Sequence, residues 1–199
     1  QKQRAKYTGI ALAKAQRLEE LINEFFEITR FNLSRLTLET RCVDLTRMLE
    51  QITNEFEPVL EENHLTYQLH LPAKLPCVCD DDKLARVFDN LLRNACFYSF
   101  ADSCIDIYAV QEKTNIILTF ENSGNTIPPE KLARLFDQFF RLDRARGTQK
   151  GGAGLGLAIA KQLIYHMDTT RSSKVNYLVV DREHLYDADI QKVLFPIVQ

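Results

Sequence analysis

The chain has 199 residues, 45% hydrophobic and 26% charged, enough apolar material for one sizeable core, which excludes wholesale disorder. Its 25 Lys and Arg stand against 27 Asp and Glu, a formal charge of -2, so no general electrostatic pull draws it to nucleic acid. Five cysteines without a Cys-x-x-Cys pair or spaced His partners predict a reduced, cytosolic chain with no zinc site, and no apolar run reaches the length of a membrane span.

Residues 8–36 lack proline, and Ala11, Ala15, Leu18, Ile22, Phe25 and Thr29 recur at helical spacing, which predicts one long helix. Leu21, Phe26, Ile28 and Leu33 widen its apolar stripe, so a helical partner is expected, in this chain or another copy. Arg41-Cys42-Val43 reads as a short extended stretch before Asp44, the N-cap of a helix through Leu45, Met48, Leu49, Ile52 and Phe56 that should fray or kink at Pro58. Residues 66–71 alternate as a half-buried strand does. Pro72 and Pro76 bracket a turn before Cys77-Val78-Cys79, which reads as a buried strand with two small apolar residues rather than a soft-metal site. Asp80-Asp81-Asp82 starts another helix, with carboxylates at the positive end of its dipole.

Residues 104–110 and 115–121 read as paired strands across a polar turn at 111–114. A loop at 122–129, a short helix near 129–135 and a last helix at about 155–166 follow. Such interleaving predicts an α/β sandwich, a mixed sheet with one face covered by helices, and there is no internal repeat.

Three stretches carry the chemistry. In the helix from Lys83 to Tyr98, Leu84, Val87, Phe88, Leu91 and Ala95 form the buried stripe, while Asn90, Asn94 and Tyr98 lie four apart on another face. Asn costs roughly 0.7 kcal/mol relative to Ala inside a helix, so two in one stripe call for a reason. A solvated face is the plain one; the functional one is that a neutral amide oxygen completes the oxygen shell of Mg²⁺ without adding charge beside phosphates. In Glu121-Asn122-Ser123-Gly124-Asn125-Thr126-Ile127-Pro128, Gly124 either supplies a positive-φ turn or lets a flat base approach the backbone, with Asn122 hydrogen-bonding the base edge.

The third stretch concentrates glycine and positive charge. Of seven glycines, five fall between Gly147 and Gly156, and residues 141–150 carry Arg141, Arg144, Arg146 and Lys150 against Asp143, a net +3. Glycines opening an apolar helix present free N–H groups and a helix dipole to an anion, and phosphate is the obvious one. The spacing Gly152-x-Gly154-x-Gly156 fits neither a Walker loop nor a dinucleotide fingerprint, and a glycine hinge with no ligand is the plain alternative.

In this order, and with Leu135-Phe136-Asp137-Gln138-Phe139-Phe140-Arg141 between the last two, these stretches resemble the N, G1, F and G2 boxes of bacterial two-component sensor histidine kinases, over roughly residues 8–166. Arg17 to Arg30 is similar to the second helix of that family's dimerisation hairpin, and this phrase, with Phe140-Arg141-Leu142-Asp143 and the run from Gly151 to Lys161, resembles the branch controlling vancomycin resistance. The resemblance implies an α+β, Bergerat-type (GHKL) two-layer sandwich: residues 1–38 a helical arm, 39–166 the ATP-binding catalytic domain, 167–199 an atypical tail. It implies an ATP-dependent protein-histidine kinase with ATP and Mg²⁺ as cofactors. By resemblance Asn94 would coordinate Mg²⁺, Asn90 would support the phosphates and Tyr98 would line the base or ribose. Asn122, Gly124 and Ile127 would receive the base. Arg141 would reach the γ-phosphate from a mobile lid at 141–153 that includes Arg144, and Gly152, Gly154, Leu155, Gly156 and Leu157 would cradle the phosphate chain. Implied partners are a response regulator and a His-bearing dimerisation helix of a homodimeric, membrane-anchored parent, of which this would be a cytoplasmic part touching neither nucleic acid nor membrane.

Four departures qualify that picture. The family commonly has Asp where Asn122 stands, Gly where Thr126 stands and Lys where Phe97 stands, so weaker ATP binding is expected. No His precedes His64, so the phosphoaccepting His is expected on a helix outside this sequence. After His166 the family continues with two glycines and a glycine-containing hairpin, whereas no glycine occurs through Gln199. A foreign origin of this tail is the expectation, with residues 174–180 and 193–198 as candidate strands completing the sheet. The alternatives are a nucleotide-binding or dimerisation module without transfer activity and another ATPase of the Bergerat superfamily.

Overall fold

A computed structural model describes residues 2–33, 37–112, 115–142, 153–169, 179–180 and 190–198, in two compact units, Gln1–Leu36 and Thr37–Gln199. The first unit is a single helix, α1 (Lys2–Leu33). It starts six residues before the expected Thr8, since nothing in Lys2 to Tyr7 breaks a helix. Tyr7, Ile10, Leu12, Leu18, Ile22 and Phe26 are exposed along it.

The second unit begins with β1 (Arg41–Asp44), α2 (Leu45–Glu55), α3 (Glu57–Glu62), β2 (Thr66–His70), β3 (Pro76–Cys79) and α4 (Asp81–Tyr98). Asp44 caps α2 as expected, accepting from Thr46 N–H at 3.2 Å, and it also accepts from Leu75 N–H at 3.0 Å. The helix stops at Phe56 and restarts, with Pro58 in the first turn of α3, where its missing N–H costs nothing. The expected kink is thus a full break. β1 and β3 form a separate antiparallel ribbon, with Val43 opposite Cys77. Cys77 and Cys79 are buried while Val78 is exposed, as an alternating strand requires. Asp80 caps α4 through Lys83 N–H at 3.0 Å and holds Glu39 N–H at 3.0 Å with its other oxygen, while Arg41 pairs with Asp81.

The remaining elements are β4 (Cys104–Glu112), β5 (Asn115–Ser123), α5 (Pro129–Leu132), α6 (Gly156–Thr169), β6 (Val179–Val180) and β7 (Ile190–Val198). The main sheet runs β2-β4-β5-β7-β6, parallel between β2 and β4 and antiparallel elsewhere. Ile105, Ile107 and Ala109 of β4 and Ile116, Leu118 and Phe120 of β5 are buried, alternating with less buried neighbours such as Asp106, Tyr108 and Ile117. Opposite them lie Leu45 and Leu49 of α2, Leu84, Phe88 and Leu91 of α4, and Ile159 and Leu163 of α6, all buried. Each such side chain contributes roughly 1.5–3 kcal/mol by leaving water. Phe88 and Phe120, 5.9 Å apart between ring centres, tie α4 to the sheet.

α5 covers only 129–132 of the expected 129–135. In the tail, 193–198 belongs to β7, which pairs with β5 along its whole length, from Asn115 opposite Val198 to Ser123 opposite Ile190. Val179 and Val180 form β6, and residues 174–178 lie outside the described residues.

Candidate functional site

The helix face bearing Asn90, Asn94 and Tyr98 is half-buried, while the stripe expected to be buried is buried in full, with Leu92 and Cys96 added. Asn90 donates its Nδ2 to Arg86 O at 2.9 Å, inside its own helix. Its Oδ1 faces the start of α6: a Cβ placed on Gly156 would stand 2.9 Å from it. Glycine at that position lets the first turn of α6 lie directly against α4. No described residue hydrogen-bonds the Asn94 side chain, one turn further along. Phe97 and Tyr98 pack edge to face at 4.9 Å between centres.

At the start of α6 the first helical bond runs from Ile159 N–H to Leu155 O, 2.8 Å, which leaves the N–H groups of Gly156, Leu157 and Ala158 ahead of the ladder. No acidic residue occupies that first turn. Leu155 is 1% exposed and serves the core, so only its backbone is available to a ligand. Gly154 has φ +78°, and a Cβ on it would meet Phe140 O at 2.5 Å, Phe139 C at 3.0 Å and Arg141 Cγ at 3.2 Å. Both backbone conformation and space therefore require glycine. Its carbonyl accepts from Phe139 N–H at 3.0 Å, and Phe139 itself sits at φ +62°.

The Phe-rich stretch is held from several sides. Arg134 stacks over Phe140 at 4.7 Å, Lys161 of α6 lies 5.7 Å from the Phe136 ring centre, and Lys131 Nζ donates to Leu142 O at 3.4 Å. Half-buried Arg141 is thereby set beside Gly154.

The far end of α4 reaches the end of β5. Ser99 bridges Gly124, Phe100 N–H donates to Ser123 O at 2.8 Å, and Asn122 Nδ2 donates to Ser99 Oγ at 3.2 Å. Asn122 is 7% exposed and Gly124 is buried. Ile127 is 6% exposed, in the loop before α5. A chain of contacts thus joins the sequence-selected stretches: Asn122 and Gly124 to the end of α4, Asn90 to Gly156, and Gly154 to Phe140 and Arg141. Arg144, Gly152 and the rest of 143–152 lie outside the described residues. Ser99 escaped the sequence reading. Its only signal there is a hydroxyl directly after the Asn90, Asn94, Tyr98 ridge, where a helix end leaves carbonyls to satisfy.

Elsewhere, burial pushes the Cys96 thiol up to about 11 against the lowering effects of Arg93 and of its own backbone hydrogen bond. Among the described residues no group of three or more His, Cys, Asp and Glu is arranged to hold a metal.

Residues 79–182 match the family model of histidine kinase-, DNA gyrase B- and HSP90-like ATPases. The chain belongs to that family. Among its relatives, Sensor protein VanSC of Enterococcus gallinarum is 52% identical over 161 residues, 81% of this chain and 44% of the relative. Sensor protein VanS of Enterococcus faecium is 51% identical over 162 residues, 81% of this chain and 42% of the relative. The chain thus spans less than half the length of these relatives. Full-length ShkA, solved with AMPPNP, superposes with a TM-score of 0.77 at 21% identity, covering 98% of this chain and 38% of that one. Histidine kinase ThkA, solved with the response regulator TrrA, gives 0.71 at 20% identity over 96% of this chain and 50% of that one. At those identities the structures speak for the fold, that of an ATPase domain of this family. The family match runs 16 residues past His166, to residue 182. Among the described helices none is long and apolar enough to cross a membrane.

Proposed function

We propose that this chain is the ATP-binding part of a sensor histidine kinase, transferring the γ-phosphoryl group of ATP to a His on a dimerisation helix. The observation that carries the reading is the seating of Gly156 against Asn90, which sets the bare N-terminus of α6 beside the amide ridge of α4. The N–H groups of Gly156, Leu157 and Ala158 then face phosphate oxygens with the helix dipole behind them. Asn94, whose side chain has no partner among the described residues, offers the oxygen ligand for Mg²⁺, and Arg141 adds a guanidinium able to meet phosphate oxygens two at a time. Mg²⁺ held there would supply positive charge to offset that of the triphosphate. Asn122 and Gly124 receive the base beyond the other end of α4, and Tyr98 lines the space between.

In the transfer the bond from the γ-phosphorus to its bridging oxygen breaks, a bond to the acceptor imidazole nitrogen forms, and ADP leaves. The chain's contribution is positioning and charge compensation, which is what this reaction needs from a protein. The identity to VanSC and VanS supports a role in glycopeptide-resistance control, with a response regulator as the next phosphoryl acceptor and a membrane-anchored parent. Purified chain mixed with Mg-ATP and a His-bearing dimerisation hairpin tests the reading: acid-labile phosphate on the hairpin supports it. Tight nucleotide binding with no phosphate on the hairpin supports instead a binding module, the reading that Asn122, Thr126 and Phe97 favour.

A further inference from the structure

Ser99 ends α4 with extended backbone, φ -70° and ψ 150°. Its hydroxyl has one proton, and that proton goes to Ala95 O at 2.7 Å. With the proton committed, Oγ can only accept, and it accepts from Asn122 Nδ2 at 3.2 Å. Rotating the Asn122 amide by half a turn would set Oδ1 against Oγ with no proton between them, so the amide has one orientation, with Oδ1 turned away from Ser99. Asn122 is 7% exposed, and no described residue donates to that oxygen. A buried acceptor with no protein donor is a place for a ligand's N–H. Asn122 shares its face of β5 with Ile116, Leu118 and Phe120, the helix-covered face, two residues before the glycine that bridges Ser99.

We infer that Ser99 is a positioning residue that locks Asn122 as an acceptor, so that the site selects a purine with an exocyclic amino group at position 6 over one with a carbonyl there. The inference rests on the nucleotide reading above and goes one step further. A carboxylate at position 122 would accept hydrogen bonds whichever way it turned. A carboxamide presents a donor or an acceptor with equal ease, and only a neighbour with a fixed proton decides which. Discrimination between adenine and hypoxanthine therefore belongs to the pair Ser99 and Asn122, not to Asn122 alone.

Calorimetric titration with ADP and with IDP tests this. Wild type binds ADP at least about tenfold more tightly than IDP, because a site built to accept from an amino group meets a second acceptor in the hypoxanthine carbonyl. In Ser99→Ala the amide is free to turn, and the ratio falls to within about threefold, with part of the change arising as tighter IDP binding, which a general loosening of the site would not give. Ser99→Thr, which keeps the hydroxyl, restores the ratio. In an Asn122→Asp background Ser99→Ala leaves the ratio unchanged, since a carboxylate cannot donate. Ser99→Gly, suited to a helix end, repeats the test if the alanine variant does not fold. An undiminished ratio in a hydroxyl-free variant that still binds ADP overturns the inference alone; a wild type that binds neither nucleotide overturns the nucleotide reading and this inference with it.

Discussion

The approach of α6 to α4 at Gly156 and Asn90 predicts an energetic coupling between two residues 66 positions apart. Gly156→Ala in wild type places a Cβ 2.9 Å from Asn90 Oδ1. The Asn90 side chain must then leave its rotamer, at about 1 kcal/mol, and give up its 2.9 Å bond to Arg86 O, worth about another 1 kcal/mol. Against this stands a gain of roughly 0.5 kcal/mol from replacing glycine in a helix. The net is a loss of about 1.5 kcal/mol, or about 3–6 °C in midpoint for a chain of this size. In an Asn90→Ala background the obstruction is gone, and the same substitution should stabilise by roughly 0.5 kcal/mol. The double-mutant cycle therefore predicts a coupling of about 2 kcal/mol, read by urea unfolding followed by circular dichroism. A coupling within about 0.5 kcal/mol of zero would refute the placement of the glycine turn on the amide ridge.

Other consequences can be checked independently. Asp44→Ala removes the acceptor of both Thr46 N–H and Leu75 N–H and should lower stability by about 1.5 kcal/mol; an unchanged urea midpoint would contradict the cap. Of the five thiols, exposed Cys42 should react first with a chromogenic disulfide at pH 8, with Cys77, Cys79 and Cys96 protected until unfolding; early labelling of Cys96 would deny its burial. Because the folded Cys96 thiol titrates near 11 against an ordinary 9.0, its share of stability is complete below pH 9.0 and is lost as pH rises through about 11. Stability of Cys96→Ala should thus fall less steeply over that window than wild type, and parallel curves would contradict the shift. Truncation after Thr169 deletes the strand that pairs with all of β5 and exposes that edge; a truncated chain that unfolds cooperatively at the wild-type midpoint would show that β7 contributes nothing.

Legibility in the sequence followed the range of the forces involved. The buried stripe of α4, its Asp80 cap and the Asn90, Asn94, Tyr98 ridge depend on helical period and on neighbours within a turn, and all were readable from spacing. So was the alternation of β4 and β5, although Gln111 and Glu112, expected in the turn between them, extend β4 and pair with β5, and residues 113–114 lie outside the described residues. The pairing of β1 with β3 was not, because Arg41 and Cys79 meet only once the chain between them has folded. Gly154 was legible as bare backbone near a helix start, but not as the point where a Cβ would stand 2.5 Å from Phe140 O. Ser99 was invisible for the same reason: its meaning lies in a hydroxyl that donates to Ala95 O and accepts from Asn122 Nδ2. The tail carried β-rich composition, which marked 193–198 as a strand; its register against β5 comes from the sheet.

Titrating ATP into wild type and Asn94→Ala, each with Mg²⁺ and with EDTA, tests most directly that the α4 ridge and the α6 glycine turn serve one triphosphate. The account predicts Mg-dependent tightening in wild type and its loss in Asn94→Ala, with binding in EDTA the same for both. Full Mg-dependent affinity in Asn94→Ala, or no ATP binding by wild type under either condition, would contradict it.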